Sequence, residues 1–228
     1  MDNNKSTNNF IIAIAIVVLL FIVMIGKSVK IVTSQNSPKN LDISKSIDVM
    51  EGEYVKTNAT LSTPEYCTYI HTLMRGLPIP IGKEHYYLIT SKDLSQCISV
   101  RADEEWAKKF NNGITIDQNG VPTEGYVEEL EDKVLSNLNT VKRNYEEKQL
   151  NINVNSSLCI DMLAVKYAKR LIISSVVTLL IIIWFIIDYM KNRLLYADRS
   201  PAGKAMVSVI SCVFLISFLI MIISWQMI

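Results

Sequence analysis

Cys67 and His71 stand four residues apart in the stretch YCTYIHTLM, and on a helix that spacing puts a thiol and an imidazole on one face, where both can reach a single metal ion. His85 and Cys97 would complete a four-donor set. The same residues suggest a second chemistry, a cysteine nucleophile activated by a histidine base. Neither pattern is supported locally. The chain has no CxxC or HxxxH pair, and His71 and His85 are its only histidines. A scattered cysteine more often packs as a small apolar side chain than ligates or reacts. No catalytic, cofactor-binding or metal residue is therefore expected, and Cys67, His71, His85 and Cys97 are the set whose placement decides. Of the four cysteines, Cys67, Cys97 and Cys159 fall in the polar part and Cys212 near the C-terminal end. That leaves a Cys67 to Cys97 bridge open without implying a disulfide framework.

The elements that would position these residues lie between about 47 and 160. EYVKTNATL alternates as a strand, with Val55, Thr57 and Ala59 on one side and Tyr54 on the other. Thr63, Pro64 and Glu65 read as an N-cap followed by proline at the first helical position, predicting a short helix through about Met74. HYYLIT and QCISVR, joined by SKDLS, predict a hairpin. Adjacent strand residues point to opposite faces, so Tyr86 and Tyr87 cannot both form a stacking platform. Asp103 is placed to cap a helix carrying Trp106 and Phe110. Residues 113–117 and 125–127 suggest a strand pair. Leu130, Val134, Leu138, Val141 and Tyr145 recur at helical spacing, and the charges of VEELEDK and KRNYEEKQ are the solvated side of that helix. NINVN reads as a last strand, with Ser156 or Ser157 capping the helix that follows.

Hydrophobic residues make up 50% of the chain and collect at its two ends. FIIAIAIVVLLFIVMIG, LIISSVVTLLIIIWFII and AMVSVISCVFLISFLIMIISWQMI contain no charged residue. Each can cross about 30 Å of hydrocarbon at about 1.5 Å per residue, the first two only just. Spans are expected at 10–26, 171–189 and 205–228. The first reads as an uncleaved signal anchor, because no small-x-small site follows it. Ser174, Ser175 and Thr178, with Ser208, Ser211 and Cys212, are expected to pack helix against helix. No ionisable residue lies at membrane depth within the spans, which argues against a pump or proton-coupled transporter. Lys191, Arg193, Arg199 and Lys204 crowd the loop 190–204, which makes that loop and the tail 1–9 cytoplasmic and the polar domain extracytoplasmic. Residues 27–46 are expected to be an exposed linker. A net charge of +1 supplies no phosphate-neutralising stripe, so nucleic acid is not an expected partner.

The order of short strands and helices fits an α+β domain or an OB-like β-barrel. EGEYVKTNATLS, HYYLITSKDLSQCISV and EGYVEELEDKV resemble an uncharacterised family of small bacterial membrane proteins with an OB-like domain between an N-terminal anchor and C-terminal spans. The resemblance implies that fold for residues 48–190 and carries no catalytic residues with it. The functional expectation is a non-enzymatic, multi-pass protein of the cell membrane that presents its domain to a protein or envelope component. An accessory subunit of a larger membrane complex is the alternative, and a thiol or metal-dependent enzyme a third. The lipid bilayer and a protein are the expected partners, and no cofactor is expected.

Overall fold

A computed structural model describes residues 19, 21–43, 47–74, 77–90, 96–111, 120–148, 153–192 and 199–228. The tail 1–9, most of the span 10–26, the turn 91–95, the expected strand 113–117 and residues 193–198 of the basic loop lie outside them. Two compact units divide the chain, one built on residues 31–166 and the other on residues 1–30 and 167–226.

In the first unit a mixed sheet is built from β1 (Lys39–Asn40), β2 (Tyr54–Ala59), β3 (Leu61–Ser62), β4 (Cys67–Met74), β5 (Leu77–Thr90), β6 (Gln96–Ala102), β7 (Val121–Glu129) and β8 (Asn153–Asp161). The strands run in the order β1-β2-β7-β8-β6-β5-β3, with β4 also pairing β5. β1 with β2 and β6 with β8 are parallel, and the other pairs are antiparallel. Among the described residues no pair joins β1 to β3 into a closed barrel.

Side-chain alternation gives the sheet two faces. On one, Val55, Tyr87, Ile89, Ile98, Val100, Val127 and Ile160 meet Leu41, Ile43 and Val49 from the segment before β2 and Ala107 from helix α2 (Glu104–Asn111). On the other, Tyr86, Leu88, Cys97 and Cys159 meet Leu130, Val134 and Leu138, with Val141 and Tyr145 beside them. Those last five are the stripe read from the sequence; four lie on helix α3 (Asp132–Glu147), with Leu130 just before it. Burial on both faces explains the unbroken apolar stretch from Tyr86 to Ile89 on β5.

Three expectations are corrected. Residues 67–74 form the strand β4, because Thr63 accepts the N–H of Leu88 on its side-chain oxygen at 3.1 Å instead of capping a helix. Thr63 N–H and Tyr66 N–H still bond the β5 carbonyls of Leu88 and Tyr86, so Thr63 to Tyr66 bulge around Pro64, which has no N–H to give. The segment 27–46 is not simply a tether. Residues 21–34 are helical (α1), Lys39–Asn40 pair with β2, and Leu41 and Ile43 enter the core. Ser156 and Ser157 belong to β8, and the chain turns into helix α4 (Ala164–Asn192) after Asp161, whose Oδ1 accepts the Leu163 N–H at 2.7 Å. Asp103 does cap α2, accepting the N–H groups of Glu105 and Trp106 at 3.1 and 3.2 Å.

In the second unit α4 and α5 (Pro201–Gln226) are each long and apolar enough to cross a membrane. Phe21 of α1, Leu171 of α4 and Met221 of α5 share a buried cluster. Ser217 donates to the Ser174 carbonyl at 2.9 Å, which leaves Thr178 to donate to the Ser217 oxygen at 2.9 Å. The small residues of α4 thus pack as expected. On α5 the contact runs through Ser217, Met221 and Ser224, while Ser208 and Cys212 are exposed.

β7 approaches β8 at Gly125, where a Cβ would stand 2.5 Å from the Asp161 carbonyl oxygen and 2.7 Å from its carbon. Only glycine admits that approach. Gly125→Ala is expected to destabilise the domain by about 1–3 kcal/mol, the range of overpacked cores, measured as a lowered denaturant midpoint at unchanged slope.

Candidate functional site

The alternation that makes β5, β6, β7 and β8 apolar fails at one end of the face carrying Tyr86 and Leu88. There β5 presents Glu84, β6 Arg101, β7 Glu128 and β8 Asp161. Arg101 is 5% exposed, and Glu84 and Asp161 are fully buried. Arg101 Nη1 donates to Asp161 Oδ2 at 2.9 Å and to Glu128 Oε1 at 3.0 Å, and Nη2 donates to Glu84. The guanidinium therefore spans four strands, its two nitrogens pointing to different carboxylates as its planar fork allows.

Around it, Tyr86 donates to Glu84 Oε2 at 3.2 Å. His71 of β4 brings Nε2 within 2.9 Å of Glu84 Oε1, an ion pair when the imidazole is protonated. Burial works to raise the Glu84 carboxyl, but His71 and Arg101 outweigh it and hold it below the usual carboxylate range. Asp161 goes the other way: burial pushes it up, and Arg101 and the Leu163 N–H only partly offset this. Arg101 is raised, its burial overcome by Asp161 and Glu84.

The four residues singled out by their chemistry do not assemble. On a strand, Cys67 and His71 stand about 13 Å apart at about 3.3 Å per residue, too far for one metal ion. Cys67 faces Tyr86 across β4 and β5, and its Sγ accepts from Asn137 Nδ2 at 3.2 Å. Cys97 is buried in the α3-facing core. His85 points to the opposite face, where Nδ1 lies 2.9 Å from Glu65 Oε1 and Tyr87 donates to Glu65 Oε2 at 3.4 Å. Among the described residues no group of three or more His, Cys, Asp and Glu side chains is arranged to hold a metal ion. All four thiols are free. Burial pushes Cys67, Cys97 and Cys159 up, which keeps them as neutral thiols rather than nucleophilic thiolates. A surface hollow lined by Lys83, Asp103, Glu104, Glu105 and Lys108 mixes both charges around the start of α2 and selects no ligand by sign.

Residues missed from sequence are therefore Glu84, Arg101, Glu128 and Asp161. A signal was present: Cys97, Ser99 and Arg101 alternate with Ile98, Val100 and Ala102, so the arginine had to lie on a sheet face between apolar neighbours.

A family described as Domain of unknown function (DUF8577) matches residues 2–146, which takes in the sheet through β7 and α3. No curated protein and no solved structure matches the chain.

Removing Arg101 strands three carboxylates in the core. Arg101→Met is expected to cost about 3–5 kcal/mol, the range for a broken buried ion pair. Lys39→Met, which breaks a partly solvated 3.3 Å pair with Glu53, should cost no more than about 1 kcal/mol. Denaturant titration of both variants measures the contrast.

Proposed function

We propose that this chain, which belongs to the DUF8577 family of domains of unknown function, is a non-enzymatic membrane protein that holds its mixed-sheet domain at the outer face of the cell membrane to bind a protein or envelope component. The observation that carries the reading is the exposure of α4 and α5. Ile173, Leu180, Val209 and Ile216 are each more than 60% exposed, on helices long enough to cross a bilayer. The core helix of a water-soluble protein would bury such residues, whereas lipid covers them without cost. The stretch 10–26 is the third span of this reading, and the basic residues of 190–204 support a cytoplasmic loop with the domain outside. The neutral, buried thiols and the separation of Cys67, His71, His85 and Cys97 weigh against the thiol or metal enzyme.

One observation favours the accessory-subunit alternative. Ser208 and Cys212 lie on a part of α5 left out of the contact with α4, and small residues there suit close approach by a helix of another protein.

A cysteine placed at the exposed Asn144 on α3 tests the orientation in the full-length protein. Labelling by a membrane-impermeant thiol reagent on intact cells is expected, and labelling only after lysis would reverse the topology. A photo-crosslinker at the same position should capture the partner if the domain is the binding element. Capture from Val209 on α5 alone would favour the accessory subunit.

A further inference from the structure

Lys27 and Lys30 of α1 and Lys169 and Arg170 of α4 are all exposed. They stand at the end of the helical unit where the chain passes from α1 into the sheet unit and returns from it into α4. Contacts within the helical unit gather them around that end. Phe21 and Leu171 share a buried cluster with Met221, and Ile228 packs against it. Lys27 Nζ donates to the Ile228 main-chain oxygen at 2.9 Å, and Arg170 directly precedes Leu171. No Asp or Glu occurs in the sequence from 22 to 41 or from 162 to 187, so neither helix supplies a carboxylate at this end. Lys166, one turn earlier on α4, pairs instead with Asp103 at 3.1 Å. At the other end of α4 the arrangement differs, because Arg199 finds its counter-charge in Asp188.

Beside the cations both helices become apolar and exposed. Ile22 and Val23 on α1 and Ile173 on α4 are each more than 60% exposed, as side chains facing lipid are. Amphipathic rings mark the same level. The Arg170 guanidinium lies 5.9 Å from the Tyr167 ring centroid, and the exposed Trp225 of α5 stands three residues before Ile228. Tyrosine and tryptophan settle at headgroup depth, where lysine and arginine lay their stems along apolar surface and extend their charges to the phosphates.

We propose that Lys27, Lys30, Lys169 and Arg170 form a collar that binds the phosphate of anionic phospholipids in preference to zwitterionic ones, in the leaflet at this end of the spans. The collar rests on the reading of α4 and α5 as lipid-covered spans, whichever side of the membrane carries the domain. A zwitterionic headgroup brings an ammonium group with its phosphate and so adds a cation to a site that already holds four. An anionic headgroup adds none. The planar fork of Arg170 suits two phosphate oxygens at once, and the lysines act as point charges around it. A phosphate free in solution has no acyl chain to lie along Ile22, Val23 and Ile173, so the ligand is the bilayer lipid itself.

The test reconstitutes the full-length protein in phosphatidylcholine with a trace of either phosphatidylglycerol or phosphatidylcholine spin-labelled on its acyl chain. Electron paramagnetic resonance separates lipid held at the protein from bulk lipid. Both labels should show a held component, which reports the spans in lipid. Phosphatidylglycerol should be favoured by about twofold or more, within the roughly fivefold limit of an exposed ion pair. The preference should fall toward parity in Lys30→Gln/Lys169→Gln/Arg170→Gln, and in the parent at about 1 M salt, where exposed charges are screened beyond about 3 Å. Equal holding of both lipids by the parent would overturn the collar and leave the spans standing, and that reading does not depend on the variant folding. An unchanged preference in the variant would overturn it as well, by moving the selectivity to the basic residues of 190–204. No held component with either label would overturn the membrane reading, and the collar with it.

Discussion

A single guanidinium reaches carboxylates from three neighbouring strands, and the arrangement of the sheet follows from what that requires. Arg101 sits on β6, Glu84 on β5, Asp161 on β8 and Glu128 on β7, so the pairings β5–β6, β6–β8 and β7–β8 all meet at this point. A buried ion pair is weak evidence for stability as such, because removing charges from water costs several kcal/mol that the attraction must recover. Its stronger effect is on register. A slip of one residue in β6 would turn Arg101 to the face lined by Tyr87, Ile98 and Val127 and bury a cation among hydrocarbon. Gly125 serves the same end by letting β7 close on Asp161.

Much of the fold could be read in the sequence, where local pattern and tertiary environment agree. The α3 stripe, the Val55 and Ala59 side of β2, the β5–β6 hairpin and the Asp103 cap all express a periodicity or a cap that packing then uses. β4 could not be read that way. Thr63, Pro64 and Glu65 have the chemistry of a helix start, but the same threonine oxygen can accept a sheet N–H, and β5 supplied one. With the helix went the reason for pairing Cys67 with His71. The Arg101 cluster was hidden for a different reason: its members are scattered from position 84 to 161 and only strand order brings them together. In the sequence Glu84, Glu128 and Asp161 each look like one more surface charge, and only the alternation of β6 sets Arg101 apart.

The helical unit follows a different physics. In water a buried serine is a liability unless bonded. Here the Thr178 and Ser217 hydroxyls and the Ser174 carbonyl bond in series where helices of otherwise interchangeable apolar surface must choose a contact, and the Ser174 hydroxyl turns back to the Leu171 carbonyl. That contact could be anticipated on α4 and was displaced on α5, because composition shows that small residues are present but not which side of the helix meets its neighbour. Arg199 pairs with Asp188 where the chain passes from α4 to α5, so part of the basic loop's charge is already matched.

The central claim is that Arg101 and Asp161 act as one unit in holding the sheet together. A double-mutant cycle on Arg101→Met and Asp161→Leu, followed by denaturant unfolding, tests it directly. The account predicts a double variant more stable than Arg101→Met alone and a coupling above about 2 kcal/mol, because the second substitution removes a charge that the first left unpaired. Effects that add to within about 0.5 kcal/mol would contradict it.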